Sequence, residues 1–169
     1  MLETERLVLE KLTVEDAPFM LELLNSPLWL QFIGDRKVRT LDDARQYILN
    51  GAIKSYEQIG FGPFLVKLKS ERTPIGMCGL FKRDTLEDMD IGFAFLPDSI
   101  GKGYGFEAAT AVVVYARDVL KASRIVGITN QDNQNSIHLL EKLGFCFERK
   151  VHLTTGDEVF LFGMSISNS

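Results

Sequence analysis

The residues best suited to chemistry in this chain lie in two short stretches. The first is Gly101-Lys102-Gly103-Tyr104-Gly105-Phe106, set between an alternating run ending at Phe95 and an apolar stretch of helical spacing. Glycines at alternate positions let a chain turn with its amide N–H groups bare and convergent. The helix expected over 105–119 adds unpaired amides and the positive end of its dipole. Together these features bind anions, phosphate above all. The second stretch is Asn133-Gln134-Asn135-Ser136, between the strand-like run 125–129 and a short helix closed by Gly144. There Ser136 is placed to cap the helix, and Asn133 to order the loop through an Asx turn.

Two familiar phosphate loops do not fit. A dinucleotide fingerprint needs glycine where Phe106 stands, and an acid about twenty residues on, at the end of the next strand. Asp132 lies farther along, within a polar loop. A P-loop needs Ser or Thr after its lysine, whereas Lys102 is followed by Gly103.

Taken together, Gly101-Lys-Gly-Tyr-Gly with Glu107-Ala108, Asn133-x-x-Ser136 and Leu140-Glu-Lys-Leu-Gly-Phe145 resemble the GNAT superfamily of acetyl-CoA-dependent N-acetyltransferases. The opening Thr4-Glu5-Arg6-Leu7-Val8-Leu9 and the phrase Asp90-Ile-Gly-Phe-Ala-Phe-Leu-Pro97 are similar, more narrowly, to the Rim-type group of ribosomal-protein N-terminal acetyltransferases. The resemblance covers nearly the whole chain. It implies an α/β (α+β-like) GNAT fold, a mixed central sheet with splayed parallel strands flanked by helices. It implies acetyl-CoA as cofactor, with its pantetheine paired to the backbone around Phe93 to Phe95 and its pyrophosphate on the amides of Gly101 to Phe106. Lys102 would face either the phosphates or solvent; solvent is preferred, because the amides can do the holding. Ile100 stands near the place where most members carry Arg or Gln.

For direct attack by an amine, the same resemblance assigns three roles. A backbone N–H near Phe95 is the natural donor to a developing oxyanion. Many members place a proton-donating Tyr where this chain has Leu140; the Rim-type pattern offers Ser136 instead, hydrogen-bonded to the cofactor sulfur, with the capping role standing beside it. Asn133 would contact the pantetheine arm. Asp90 could take the amine proton through water, although a solvated strand-end carboxylate is the weightier reading. Glu107, in the first turn of its helix, reads as structural. Trp29 and Phe32 would border the acceptor pocket, with at least one of them in the core. The acceptor is a protein N-terminus, or else an amino acid, polyamine or antibiotic; a CoA-binding module without catalysis is a further alternative.

Bulk properties set the limits. A chain of 169 residues, 46% hydrophobic and 25% charged, fits one soluble domain over 1–169. Net charge −4 argues against nucleic acid or an anionic membrane as partner and leans slightly toward a basic acceptor. Cys78 and Cys146 sit in apolar, strand-like surroundings and read as buried free thiols, so the location is cytoplasmic. Monomer and homodimer both fit. His138 and His152 lack metal-ligand spacing and are weak bases for this site, so no metal is expected.

The elements that must position these residues follow from pattern. A strand over 3–11 precedes a Thr13-capped helix carrying Ala17, Met20, Leu21 and Leu24 and ending before Pro27. Residues 28–34 read as apolar but irregular, and Thr40 opens a second helix with Leu41, Ala44, Ile48 and Ala52. Three strands are expected over 64–69, 75–82 and from Asp90, where Pro97 stops pairing. After the crossover helix and the strand 125–129, runs 147–153 and 158–164 flank Thr154-Thr-Gly-Asp157 as a hairpin.

Overall fold

The computed structural model describes residues 1–167. In chain order it contains β1 (Leu2–Glu3), β2 (Leu7–Lys11), α1 (Ala17–Leu24), α2 (Pro27–Phe32), α3 (Leu41–Ile48), α4 (Lys54–Ile59), β3 (Pro63–Leu68), β4 (Pro74–Phe81) and β5 (Asp90–Phe95). These are followed by α5 (Tyr104–Asp118), β6 (Arg124–Thr129), α6 (Gln134–Leu143), β7 (Cys146–His152) and β8 (Glu158–Ser165).

Alternating side chains build a two-sided sheet. Phe64 and Val66 of β3, with Cys78 and Leu80 of β4, pack toward Ala108, Ala109, Val112 and Ala116 of α5. Between them, Leu65 and Met77 point the other way, toward Met20, Leu23 and Leu24 of α1 and Ile48 of α3. Strands apolar on both faces need helices on both. The strands form one sheet in the order β1-β2-β3-β4-β5-β6-β8-β7. Every pairing is antiparallel except β5 with β6.

That parallel pair is short. Only Asp90 with Val126 and Ile91 with Gly127 are in register, although β5 runs on to Phe95 and β6 to Thr129. Each strand keeps to its own antiparallel neighbour instead: β5 to β4 through Phe95, β6 to β8 through Thr129. The two therefore part.

Local expectations are corrected or extended. The first strand is broken, because Thr4 turns the chain with its N–H donating to the Leu7 carbonyl at 2.9 Å. Residues 28–34 are mostly helical, since Pro27 at the first position of α2 starts a helix as readily as it ends one. The helix after Thr40 continues past Ala52 through a π-helical stretch, Leu49–Ile53, into α4, and ends at Gly60 with φ 81°. Cys78 is buried as expected, but Cys146 is exposed, lying on the edge strand β7.

Candidate active site

The parting of β5 and β6 opens a cleft of about 500 Å³. Two hydrogen bonds set the phase of its β5 wall. The Val126 N–H donates to the Met89 carbonyl at 3.1 Å, and the Leu96 N–H donates to the Ile75 carbonyl at 2.9 Å. Backbone groups alternate along a strand, so those of Phe93 and Phe95 face the β6 side, where beyond Ile91 no strand pairs with them. Side chains alternate as well. Ile91, Phe93 and Phe95 join the α5 core, leaving Asp90, Gly92 and Ala94 on the opposite face.

At one end of the cleft lies the glycine turn. Gly101 and Gly103 have φ of 80° and 83°, a region costly for any side chain. The first bond of α5 runs from the Glu107 N–H to the Gly103 carbonyl at 3.1 Å. The N–H groups of Tyr104, Gly105 and Phe106 are therefore left without helical acceptors. Those bare amides at a helix start, opening into a cleft of this size, fit the diphosphate and the extended arm of a CoA-type group. Lys102 does not line the cleft; its carbonyl accepts from Arg6 Nη1 at 2.9 Å.

Sequence reasoning missed the brace behind the turn. Glu107 accepts from the Arg6 N–H at 2.9 Å, from Arg6 Nε at 2.7 Å and from the Thr4 hydroxyl. The Arg6 guanidinium also lies 4.5 Å from the centre of the Tyr104 ring. Burial raises the Glu107 carboxyl, but these bonds and the Arg6 charge outweigh it and hold the group below its ordinary range. The expected structural role of Glu107 stands, with a partner about a hundred residues away in sequence.

Asn133 and Ser136 exchange parts. The helix α6 starts at Gln134, and Asn133 is its cap, with Oδ1 accepting from the Ser136 N–H at 3.2 Å. The capping role expected of Ser136 is thus overturned: it sits one turn inside. Its hydroxyl has no hydrogen bond among the described residues and borders the cleft, as does Asn133. Leu140 is buried under the adjoining wall, packed onto Gly127.

Asp90 is the largest departure from expectation. It is 1% exposed rather than a solvated strand end. Oδ2 accepts from Arg83 Nε at 3.2 Å, while Oδ1 is buried without a partner. Burial pushes the carboxyl above its ordinary range, against the opposing pull of Arg83. A buried polar group left unpaired calls for an explanation, and here the residue borders the cleft. Arg83 could have been suspected, since the β4–β5 turn folds it back over the start of β5.

The other end of the cleft is bordered by Trp29, Phe32, Arg36, Tyr47, Phe81 and Arg83. The Asn130 side chain donates to the Phe32 carbonyl at 2.5 Å, tying α2 to the loop after β6 and closing this side. Trp29 is core as well as wall, being 3% exposed with its indole N–H unpartnered. Of the site residues expected from sequence, Asp90, Phe93, Phe95, Gly101, Gly103, Tyr104, Gly105, Phe106, Asn133 and Ser136 all border this cleft. Among the described residues, no group of three or more His, Cys, Asp or Glu could hold a metal ion, and no helix is long and apolar enough to cross a membrane.

A split parallel pair, an amide-lined glycine turn and a buried carboxylate thus meet at one cleft of a mixed sheet. The family described as acetyltransferase (GNAT) domain matches residues 6–146. The chain belongs to the GNAT acetyltransferase family. YoaA of Bacillus subtilis (strain 168), described as an uncharacterized N-acetyltransferase, is 26% identical over 145 residues, 85% of this chain and 81% of its own length. RimL, a ribosomal alpha-N-protein acetyltransferase in complex with coenzyme A, superposes with a TM-score of 0.82 at 18% identity, over 96% of both chains. Spermidine N-acetyltransferase from Vibrio cholerae, in complex with CoA and spermine, does so at 0.79 and 17%, over 96% of this chain and 97% of that one. Those two structures share the fold. The chain is an acyltransferase, a GNAT-type N-acetyltransferase.

Proposed function

We propose that the chain moves an acetyl group from acetyl-CoA to a primary amine by direct attack, as a Rim-type enzyme acting on amines of the α-amino kind. The parting of β5 and β6 beside the glycine turn carries this reading. Bound acetyl-CoA supplies an acetyl group activated as a thioester. The amides of Gly101 to Phe106 hold its phosphates, and the free backbone edge at Phe93 and Phe95 takes its arm as an added strand. The Phe95 N–H donates to negative charge as it develops on the carbonyl oxygen. Asp90, made more basic by burial, takes the amine proton directly or through water. The Ser136 hydroxyl would relay a proton to the departing sulfur, regaining one from solvent, and Asn133 fixes the turn that presents it. The chain works as one cytoplasmic domain, without a nucleic-acid or membrane partner.

The direct test follows release of free thiol from acetyl-CoA with short peptides bearing free N-termini, and with the same peptides blocked by acetylation. Thiol release that requires the free amine supports the reading. Release independent of any amine, or none with any amine tried, contradicts it.

A further inference from the structure

The chain as a whole carries net charge −4, yet the acceptor end of the cleft has the opposite sign. That end shares a wall with a second cavity of about 680 Å³, Arg36, Tyr47, Met77, Phe81 and Arg83 lining both. The second cavity adds Lys37 and Lys82. Around this end of the cleft and in the second cavity the carboxylates are Asp90, held by Arg83, and Asp43. Asp43 is engaged in capping α3, its side chain accepting from the Thr40 and Arg39 amides at 3.2 and 3.0 Å. Four cations thus face two carboxylates that already have work to do.

Both guanidinium groups among those cations retain unused donors. Arg36 makes no hydrogen bond or ion pair among the described residues. Its neighbour Arg39 contrasts with it, bracing the same loop through Asp35 at 2.6 Å and Asn25 at 2.9 Å. Arg83 uses Nε on Asp90 and leaves both terminal nitrogens without a partner among the described residues. A guanidinium with open donors presents a fork that matches carboxylate or phosphate. A cleft lined by one sign of charge also concentrates ligands of the other.

From this arrangement we infer that the acceptor is an anionic amine: a primary amine that carries a carboxylate or phosphate, with the amine at Asp90 and the anion toward Arg36 and Lys37. The inference rests on the acetyl-transfer reading above and deepens it. The cations disfavour polyamines, whose second ammonium would meet Arg36 and Arg83. Two sources share the chemistry. One is a free amino acid or small metabolite, whose own carboxylate reaches the cations. The other is a peptide N-terminus followed by acidic residues.

The test compares kcat/KM for matched acceptors. One arm pairs free amino acids with their amides. A second pairs tetrapeptide amides having aspartate at the second and third positions with the same peptides having lysine there. Spermidine forms the third. The anionic member of at least one pair should be favoured by tenfold or more over its partner and over spermidine, and the pair that responds identifies the source. Arg36→Glu should lower that ratio at least tenfold, and Arg36→Gln should lower it by less. In both variants the melting shift caused by acetyl-CoA should persist, which shows that they remain folded and cofactor-competent. A preference for spermidine or the lysine peptides overturns the inference and leaves acetyl transfer intact. So does a ratio unmoved by Arg36→Glu. Absence of turnover with every amine overturns the acetyl-transfer reading and this inference with it.

Discussion

Replacing Asp90 by asparagine should pull stability and catalysis in opposite directions. Asp90 is 1% exposed and leaves one carboxylate oxygen unpaired, a deficit worth about 1–3 kcal/mol. The amide is nearly isosteric, carries no charge to desolvate, and can still accept from Arg83. Removing one partner of a buried ion pair is costly when the other stays buried, but the Arg83 side chain is 43% exposed and can turn to water. The variant should therefore be between unchanged and about 2 kcal/mol more stable, at most ~8 °C in Tm for a chain of this size. The pH dependence has a definite sign. Because the folded state raises this carboxyl, its contribution to stability is fullest below the unfolded pKa of about 3.9 and is lost as pH rises through the folded value. Asparagine should flatten that slope. Activity should move the other way: kcat/KM should fall about 100-fold near pH 8, within the range for loss of a general base, and the acidic limb of the wild-type profile should disappear. Thermal melts across pH 4–8 and initial rates over the same range measure both. Undiminished turnover would refute the role as base. A drop in Tm of several degrees would show that the carboxylate is a structural anchor instead.

Other substitutions address separate parts of the site. Ser136→Ala should leave both acetyl-CoA affinity and Tm nearly unchanged, because Asn133 is the cap, while lowering kcat; Asn133→Ala should cost about 1 kcal/mol by denaturation. Gly103→Val forces a β-branched residue to φ 83° and places its Cβ 3.2 Å from Arg6 Nη2, so calorimetric binding of acetyl-CoA should be lost. Arg6→Ala, which removes the brace on Lys102 and Glu107 from behind, should weaken acetyl-CoA binding with kcat at saturation largely kept. Tyr56→Phe deprives the Leu12 N–H of an acceptor at 3.0 Å and the Pro63 carbonyl of a donor, and urea unfolding should report a loss of about 2 kcal/mol; the burial responsible also pushes the Tyr56 hydroxyl up to about 12.

What could be read from sequence was whatever depends on neighbours along the chain. The alternation of Ile91, Phe93 and Phe95, the stop at Pro97 and the glycines at 101 and 103 are local signals, and β5, the turn and α5 fall within a residue or two of expectation. Gly103 and Gly144 do what their positions suggest, standing at helix ends with φ of 83° and 106°. Signals with two meanings failed. Pro27 marks a stop or a start, and Ser136 and Asn133 are both good caps, so the choice fell to how far α6 reaches back. Features created by tertiary contact left no trace in pattern. The Arg6–Glu107 brace joins residues far apart in sequence, and the burial of Asp90 is a property of the folded sheet that no local pattern carries. The charge of the acceptor end illustrates the same point. A net charge of −4 suggests a basic acceptor, whereas the fold gathers Arg36, Lys37, Lys82 and Arg83 at one place.

The most direct measurement of the central claim is a thermal-melt titration of the chain and its Gly103→Val variant with acetyl-CoA, with NAD and ATP as controls. At a hundred times its Kd, a ligand should add roughly 2.7 kcal/mol. A shift of several degrees is expected for the unaltered chain with acetyl-CoA alone, and none for the variant. Equal shifts with NAD or ATP, or a shift that persists in the variant, would contradict the glycine turn as the site that holds the acetyl donor.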